Sequence, residues 1–259
     1  MLLEKKVAVI YGAGGWIGGA VARAFAREGA KLFLAGRTLA KVEAVAKEIS
    51  AAGGAAEAAR VDALDEQEVE EHVGKVAEKA GRIDVCFNAI AMDDVQGAPL
   101  GEMSLEDFSR PIVNATRTQF LTAKAVARHM VARRSGVILM ITATPSRLAI
   151  PLVGGFGVAC AALEALCRQL AAELGPQGVR VVCLRSAGSP ETIPETMDVH
   201  AAGNRMTRDE FIASLEAMTL LKRMPSLTDV GNVAALMASD YAGAMTGTVA
   251  NMTCGQLVD

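Results

Sequence analysis

Directly after the apolar run 6–11 the chain carries Gly12, Gly14, Gly15, Gly18 and Gly19, and then enters an amphipathic stretch. Glycines in a strand-to-helix turn let backbone amides approach a pyrophosphate at the helix N-terminus. The chemistry such a turn implies is dinucleotide binding. Two more residues fit by position. Arg37 follows the second apolar run, where a cation meets the 2′-phosphate of NADP. Asp62 ends the third, where a carboxylate can cap an adenine amino group. The turn alone also fits a packing role with no cofactor. Arg37 and Asp62 favour a bound cofactor, NADP(H) over NAD(H).

A second polar set lies further on: Thr142, Thr144, Ser146 and Arg147, then Arg185 and Ser186. Taken singly, the threonines are expected to cap or pack and the arginines to face solvent. Jointly they leave room for an oxyanion or carboxylate site. Between them, "GGFGVACAALEAL" (154–166) reads as a helix entered through a Gly-Gly turn. Phe156 has no proton to give. Cys160, on an apolar helix face, is expected to have a raised pKa and to act as a small buried hydrophobe.

The elements that must position these residues alternate along the chain. Apolar runs at 6–11, 31–36, 56–61, 83–91, 136–143 and 179–184 read as strands, with a last one near 246–252. Helical patterns lie between them. One ends at Gly29, one has Thr38 as N-cap, one is acidic, and one spans roughly 156–174. Ser104 with Asp107 reads as a capping box, and Pro111 is expected to kink or restart the helix that follows, which runs to about 134. Strands joined by helical crossovers imply a single α/β domain over 1–259, a Rossmann-like doubly wound parallel sheet of about seven strands with helices on both faces. The stretch 185–207 is the one long irregular segment and is expected to be a lid or flexible loop.

Composition narrows the function. A net charge of −3 with no basic run argues against nucleic-acid binding. The apolar region 137–167 is broken by Pro145, Arg147, Pro151 and a glycine pair, so no membrane span is expected. The five cysteines are scattered through apolar runs with no C-x-x-C pair, and are expected to be reduced and buried. His72, His129 and His200 lie far apart, so no metal site is expected. The N-terminus runs straight into a strand without a signal peptide, and a cytoplasmic location is expected.

In order and spacing the whole chain resembles the short-chain dehydrogenase/reductase family. That family's Thr-Gly-x-x-x-Gly-x-Gly turn is similar to Tyr11-Gly12-Ala13-Gly14-Gly15-Trp16-Ile17-Gly18. Its Asn-Asn-Ala-Gly is similar to Asn88-Ala89-Ile90-Ala91, and its helical Asn to Asn114. Its Pro-Gly turn stands where Ser186-Ala187 lies, and Thr253-Cys254 replaces its Asp-Gly near the C-terminus. The resemblance makes Gly12, Gly14, Gly15, Trp16, Ile17, Gly18, Arg37, Asp62, Ala63, Asn88 and Ala91 the cofactor-binding residues. It also implies a catalytic Ser, a Tyr thirteen residues on and a Lys four further, with the Asn anchoring a water in the proton relay. Ala143, Phe156 and Cys160 occupy the first three positions, and only Asn114 survives. No tyrosine lies between Tyr11 and Tyr241 and no lysine between Lys124 and Lys222, so no shift of alignment restores the set. General acid–base catalysis supplies about 10²–10⁴-fold in rate, so ordinary ketone and alcohol chemistry is not expected.

Trp16 stands at the middle glycine of the turn, where an indole either crowds the pyrophosphate or swings out and covers it. Halohydrin dehalogenases, which resemble the family, also carry an aromatic there. They require a tyrosine and an arginine where Phe156 and Cys160 stand, which argues against that activity. Three readings follow: an NADP(H)-binding oxidoreductase acting on an activated small or medium apolar substrate, a silent subunit stabilising an active paralogue, or a non-redox cyclase or dehydratase. The resemblance implies a dimer or tetramer, homomeric or with a paralogue, assembled through the helices at 111–134 and 156–174.

Overall fold

The computed structural model describes residues 1–192 and 194–258. Seven strands form one sheet: β1 (Val7–Tyr11), β2 (Lys31–Gly36), β3 (Ala55–Arg60), β4 (Val85–Asn88), β5 (Gly136–Ala143), β6 (Val179–Ser186) and β7 (Thr248–Met252). Every pairing is parallel, in the spatial order β3-β2-β1-β4-β5-β6-β7. The order reverses between β1 and β4, and a crevice opens there beyond the carboxyl ends of the strands.

Among the described residues the helices are α1 (Trp16–Arg27), α2 (Leu39–Ala51), α3 (Glu66–Ala80), α4 (Leu105–Ala132), α5 (Phe156–Leu174), α6 (Pro194–Gly203), α7 (Arg208–Ala217) and α8 (Leu227–Ala238). Strand alternation sorts the core into two layers. Ala8 and Ile10 of β1 pack with α1, α2 and α8, whereas Val7, Val9 and Tyr11 pack with α3, α4 and α5. Near-continuous apolar strands are what a sheet covered on both faces requires.

Local signals set most of the ends. The Ser104 hydroxyl accepts from the Asp107 amide at 3.0 Å and donates to its carboxylate at 2.7 Å, capping α4. Ser226 and Asp229 close a capping box on α8, and Thr207 with Glu210 does so on α7. Thr38 stands at the N-cap of α2 without a side-chain cap bond.

Some boundaries depart from expectation. Pro111 does not restart the helix: α4 runs unbroken through it for 28 residues. Proline removes its own amide from the ladder and crowds the carbonyl four residues back, and Pro111 is buried against the entrance of α5, where packing offsets that cost. β4 is shorter than 83–91, because the chain leaves the sheet after Asn88. The stretch 185–207 is not one irregular loop. Its first two residues complete β6, and 194–203 form α6. His200 Nε2 lies 2.6 Å from Gln96 Oε1, and Gln96 Nε2 donates to Asp94 at 2.6 Å. This chain of bonds ties α6 to the segment after β4. No described helix is long and apolar enough to cross a membrane.

Candidate functional site

A cleft of about 280 Å³ opens at the reversal of strand order. Gly12, Gly14 and Gly15 form its floor at the end of β1. Arg37, Thr38 and Lys41 form one wall, at the entrance to α2. Asp62 and Ala63 after β3, Ala91 after β4, and Asn114 on α4 complete it.

The turn's glycines divide into two kinds. Gly12 has φ +75°, and a Cβ there would sit 2.5 Å from the Ala89 carbonyl oxygen. A Cβ on Gly18 would sit 2.2 Å from the Gly12 carbonyl oxygen. These two glycines let the turn fold onto itself and onto the β4 exit. Gly14 lets the first turn of α2 approach, since a Cβ there would sit 2.8 Å from the Lys41 Cβ, whereas one on Gly15 would meet only the Gly12 carbonyl oxygen, at 3.3 Å.

The start of α1 beside them is uncapped. Gly15 is its N-cap with no side-chain bond, and no acidic residue stands in its first turn. Its leading amides and the positive end of its dipole therefore suit an anion. Arg37 and Lys41 are exposed on the opposite wall, and neither has an ion-pair partner among the described residues. Two unneutralised cations facing an uncapped helix start fit the phosphates of a dinucleotide.

The remaining expected cofactor residues are placed differently. Asn88 is buried, and its side chain is committed within the protein. Its amide donates to the Thr118 carbonyl at 3.2 Å and the Thr122 hydroxyl at 3.0 Å, and its Oδ1 accepts from the Ile90 amide at 3.0 Å. Asn88 thus holds β4 to α4 behind the cleft. Ile17 packs into the core, and Trp16 is 59% exposed and does not line the cleft. The Asp62 carboxylate accepts from the Leu64 amide at 3.0 Å, which orients it at the rim.

Ala143, Phe156 and Cys160 do meet, at the end of β5 and the start of α5. They join Met92, Ile112 and Leu163 in an apolar cluster. Cys160 is fully buried, and burial pushes its thiol up to about 12, with a hydrogen bond to the Ala143 backbone pulling weakly the other way. A thiol so placed stays protonated and is no base at neutral pH. Cys86, Cys167 and Cys183 are also buried and raised by burial, and Cys254 alone is partly open. At pH 8, Ellman's reagent is therefore expected to titrate at most one thiol in the native protein and all five after unfolding. Fast modification of Cys160, located by peptide mapping, would overturn this placement.

One turn beyond Cys160 lies a group the sequence did not single out. Glu164 is 4% exposed and receives Arg185 Nε and Nη2 on its two oxygens, each at 2.8 Å. Thr142 donates to the same carboxylate at 3.2 Å, and Arg185 Nε also reaches Ser146 Oγ at 3.2 Å. Burial works against the Glu164 charge, but the bonds from Arg185, Ser146 and Thr142 outweigh it and hold the pKa below the ordinary value. The expectation that Arg185 faces solvent is thus corrected: it is 2% exposed. Its signal was the spacing Cys160-x-x-x-Glu164, which places a carboxylate on the buried face of α5. Lys41 was missed although it stands only four positions after Arg37, because only the fold brings the first turn of α2 against Gly14 of the cleft. Among the described residues no group of three His, Cys, Asp or Glu side chains is placed to hold a metal ion.

An all-parallel doubly wound sheet with a glycine-turn cleft at its switch point defines a Rossmann-like α/β protein. The comparisons sharpen that class. The profile described as enoyl-(acyl carrier protein) reductase matches residues 12–256. An uncharacterized oxidoreductase of Methylorubrum extorquens is 31% identical over 254 residues, 98% of both chains. The peroxisomal 2,4-dienoyl-CoA reductase of Saccharomyces cerevisiae is 29% identical over 96% of this chain and 82% of its own. A sorbitol-6-phosphate 2-dehydrogenase from Erwinia amylovora superposes with a TM-score of 0.90 at 26% identity, over 97% of this chain and 100% of its own. An NAD⁺-bound xylitol dehydrogenase shares the fold with a TM-score of 0.90 at 23% identity, over 98% and 100% of the two chains. The chain belongs to the short-chain dehydrogenase/reductase family of oxidoreductases.

Proposed function

We propose that this protein binds NADP(H) and reduces an activated small or medium apolar substrate, in a site without the family's Ser-Tyr-Lys set. The observation that carries the cofactor reading is the pair Arg37 and Lys41, unneutralised beside the uncapped start of α1. Gly14, Gly15 and the first amides of α1 would hold the pyrophosphate. Arg37, Lys41 and Thr38 would hold the 2′-phosphate, and Asp62 and Ala63 the adenine end. When bound, the group supplies a hydride.

The residues around the reacting position shape the chemistry by what they lack. Phe156 has no proton to give, and the buried Cys160 thiol, pushed up to about 12, is a poor donor within the apolar cluster it forms with Met92 and Ile112. A ketone needs a proton donor as its oxygen gains charge. A conjugated double bond spreads that charge over its own electron-withdrawing group and asks less of the protein. The yeast relative named as a 2,4-dienoyl-CoA reductase and the family profile described as enoyl-(acyl carrier protein) reductase support this choice.

A second reading concerns assembly. Leu105, Val113 and Phe120 on α4 and Val158 on α5 are exposed apolar side chains. Such a stripe favours an oligomer built through these helices, with copies of this chain or with a paralogue whose active site it supports as a silent subunit.

Calorimetric titration tests the cofactor reading. NADPH is expected to bind at one site per chain, at least about tenfold tighter than NADH. A charged hydrogen bond contributes roughly 1.5–3 kcal/mol, so Arg37→Ala and Lys41→Ala should each weaken NADPH by about 10–100-fold and leave NADH nearly unchanged. Equal affinity for the two cofactors, or no binding, would overturn the reading. Robust ketone reduction with NADPH would overturn the substrate choice.

A further inference from the structure

The sequence singles out Trp16, and the cleft does not absorb it. We infer that Trp16 is a cover for the bound cofactor's phosphates, a positioning residue that folds over the site once it is filled. This rests on the reading of the cleft as a dinucleotide site.

Trp16 is the first residue of α1, immediately after Gly15, which lines the cleft. Its own amide is the first one the uncapped helix offers. An anion held by these amides must therefore sit beside Trp16, whatever the rest of the ligand does. Helical Cα–Cβ bonds tilt toward the N-terminus, so a side chain at this position leans toward the anion rather than along the helix. The neighbouring positions are committed elsewhere. Ile17 packs into the core, and Gly18 is pressed against the Gly12 carbonyl.

The choice between crowding and covering follows from exposure. A crowding indole would occupy the cleft, yet Trp16 does not line it and is 59% exposed. It is the only tryptophan of the chain, and it stands open to water at the lip of a polar site. Exposed large apolar side chains are ordinary when scattered, but this one adjoins a ligand surface. Folding over the phosphates would remove apolar area from water and exclude solvent from the phosphate contacts. Excluding solvent strengthens the pull of Arg37, Lys41 and the α1 amides, because screening falls. The indole N–H is also a donor with no partner among the described residues, suited to a phosphate oxygen.

Being the sole tryptophan, Trp16 reports on itself. On adding NADPH or NADP⁺, its emission is expected to shift to the blue and its quenching by acrylamide to fall. Trp16→Ala should bind NADPH on the order of tenfold more weakly, through faster release, and Trp16→Phe should restore most of the loss. The site is on the surface, so thermal unfolding of Trp16→Ala should match the parent and serve as the check on folding. NADPH that binds by calorimetry while emission, quenching and the affinity of Trp16→Ala all stay unchanged would overturn the cover and leave the cofactor site standing. Tighter binding by Trp16→Ala would show crowding and also overturn it. If calorimetry detects no NADPH binding to the parent protein, both the cover and the cofactor reading fall.

Discussion

Replacing Arg185 with leucine is expected to destabilise the fold by about 3–5 kcal/mol, because it leaves the Glu164 carboxylate charged, buried and without its main partner. For a chain of this size that corresponds to a fall of roughly 10 °C in melting temperature. The Thr142 and Ser146 hydroxyls remain in the variant, but neutral hydroxyls do not replace two guanidinium bonds at 2.8 Å. Glu164→Leu should cost about as much, since it strands the guanidinium instead. The double change to leucines is the decisive arm. Two charges taken from water lose most of what their attraction returns, so removing both together should be close to neutral or stabilising. Urea unfolding of the four proteins closes the cycle. Additive losses in the double variant would mean that the two side chains act separately and that the pairing carries no coupling. The result also bears on chemistry: a pair committed to holding β6 against α5 is not a spare acid for the pocket beside Ala143, Phe156 and Cys160.

Acidification should destabilise the protein through His72. This side chain sits on α3, with Nδ1 3.1 Å from the Tyr11 hydroxyl at the end of β1. Burial, helped by nearby Lys75, pushes the imidazole down to about 4. Burial, and then the Cys86 thiol, push the Tyr11 phenol well above its ordinary value, so it stays a neutral partner of the ring. Protonating the ring buries a charge that no described carboxylate neutralises. In the unfolded chain the same ring titrates near 6.5. Between pH 6.5 and 4 the unfolded state therefore binds the proton and the folded state does not, and stability falls as pH falls. Integrated over that window the loss is about 3 kcal/mol, complete near pH 4 and absent above pH 7. His72→Gln keeps an acceptor for Tyr11 without a titrating ring. It should begin less stable at pH 7 yet show a flatter profile between pH 4 and 6.5. An unchanged slope in that variant would assign the acid sensitivity to other groups.

Much of the fold was legible because its signals are local. Buried strands in a parallel sheet are apolar on both faces, so 31–36 and 136–143 stand out as runs and match β2 and β5 residue for residue. The expected helix at 156–174 coincides with α5, set off by the glycine turn before it and Gly175 after it. Where local signals compete, reading from residues failed. Pro111 looks like a break, but packing keeps α4 continuous. The 185–207 stretch has weak amphipathic patterning, and α6 within it is held by contacts such as His200 to Gln96, 104 positions away.

The candidate site divides along the same line. The sequence by itself determined the family, and it put the glycine turn and the residues Ala143, Phe156 and Cys160 on the page, since each is a matter of residue type at a spacing. Tertiary structure decided which residues share a space. It placed Lys41 against Gly14, left Trp16 outside the cleft, spent Asn88 on bracing β4 to α4, and turned Arg185 inward to Glu164. The physical reason is that burial and charge pairing join residues distant in the chain. Whether an arginine meets solvent or a carboxylate is set by the strand that carries it and the helix laid across it.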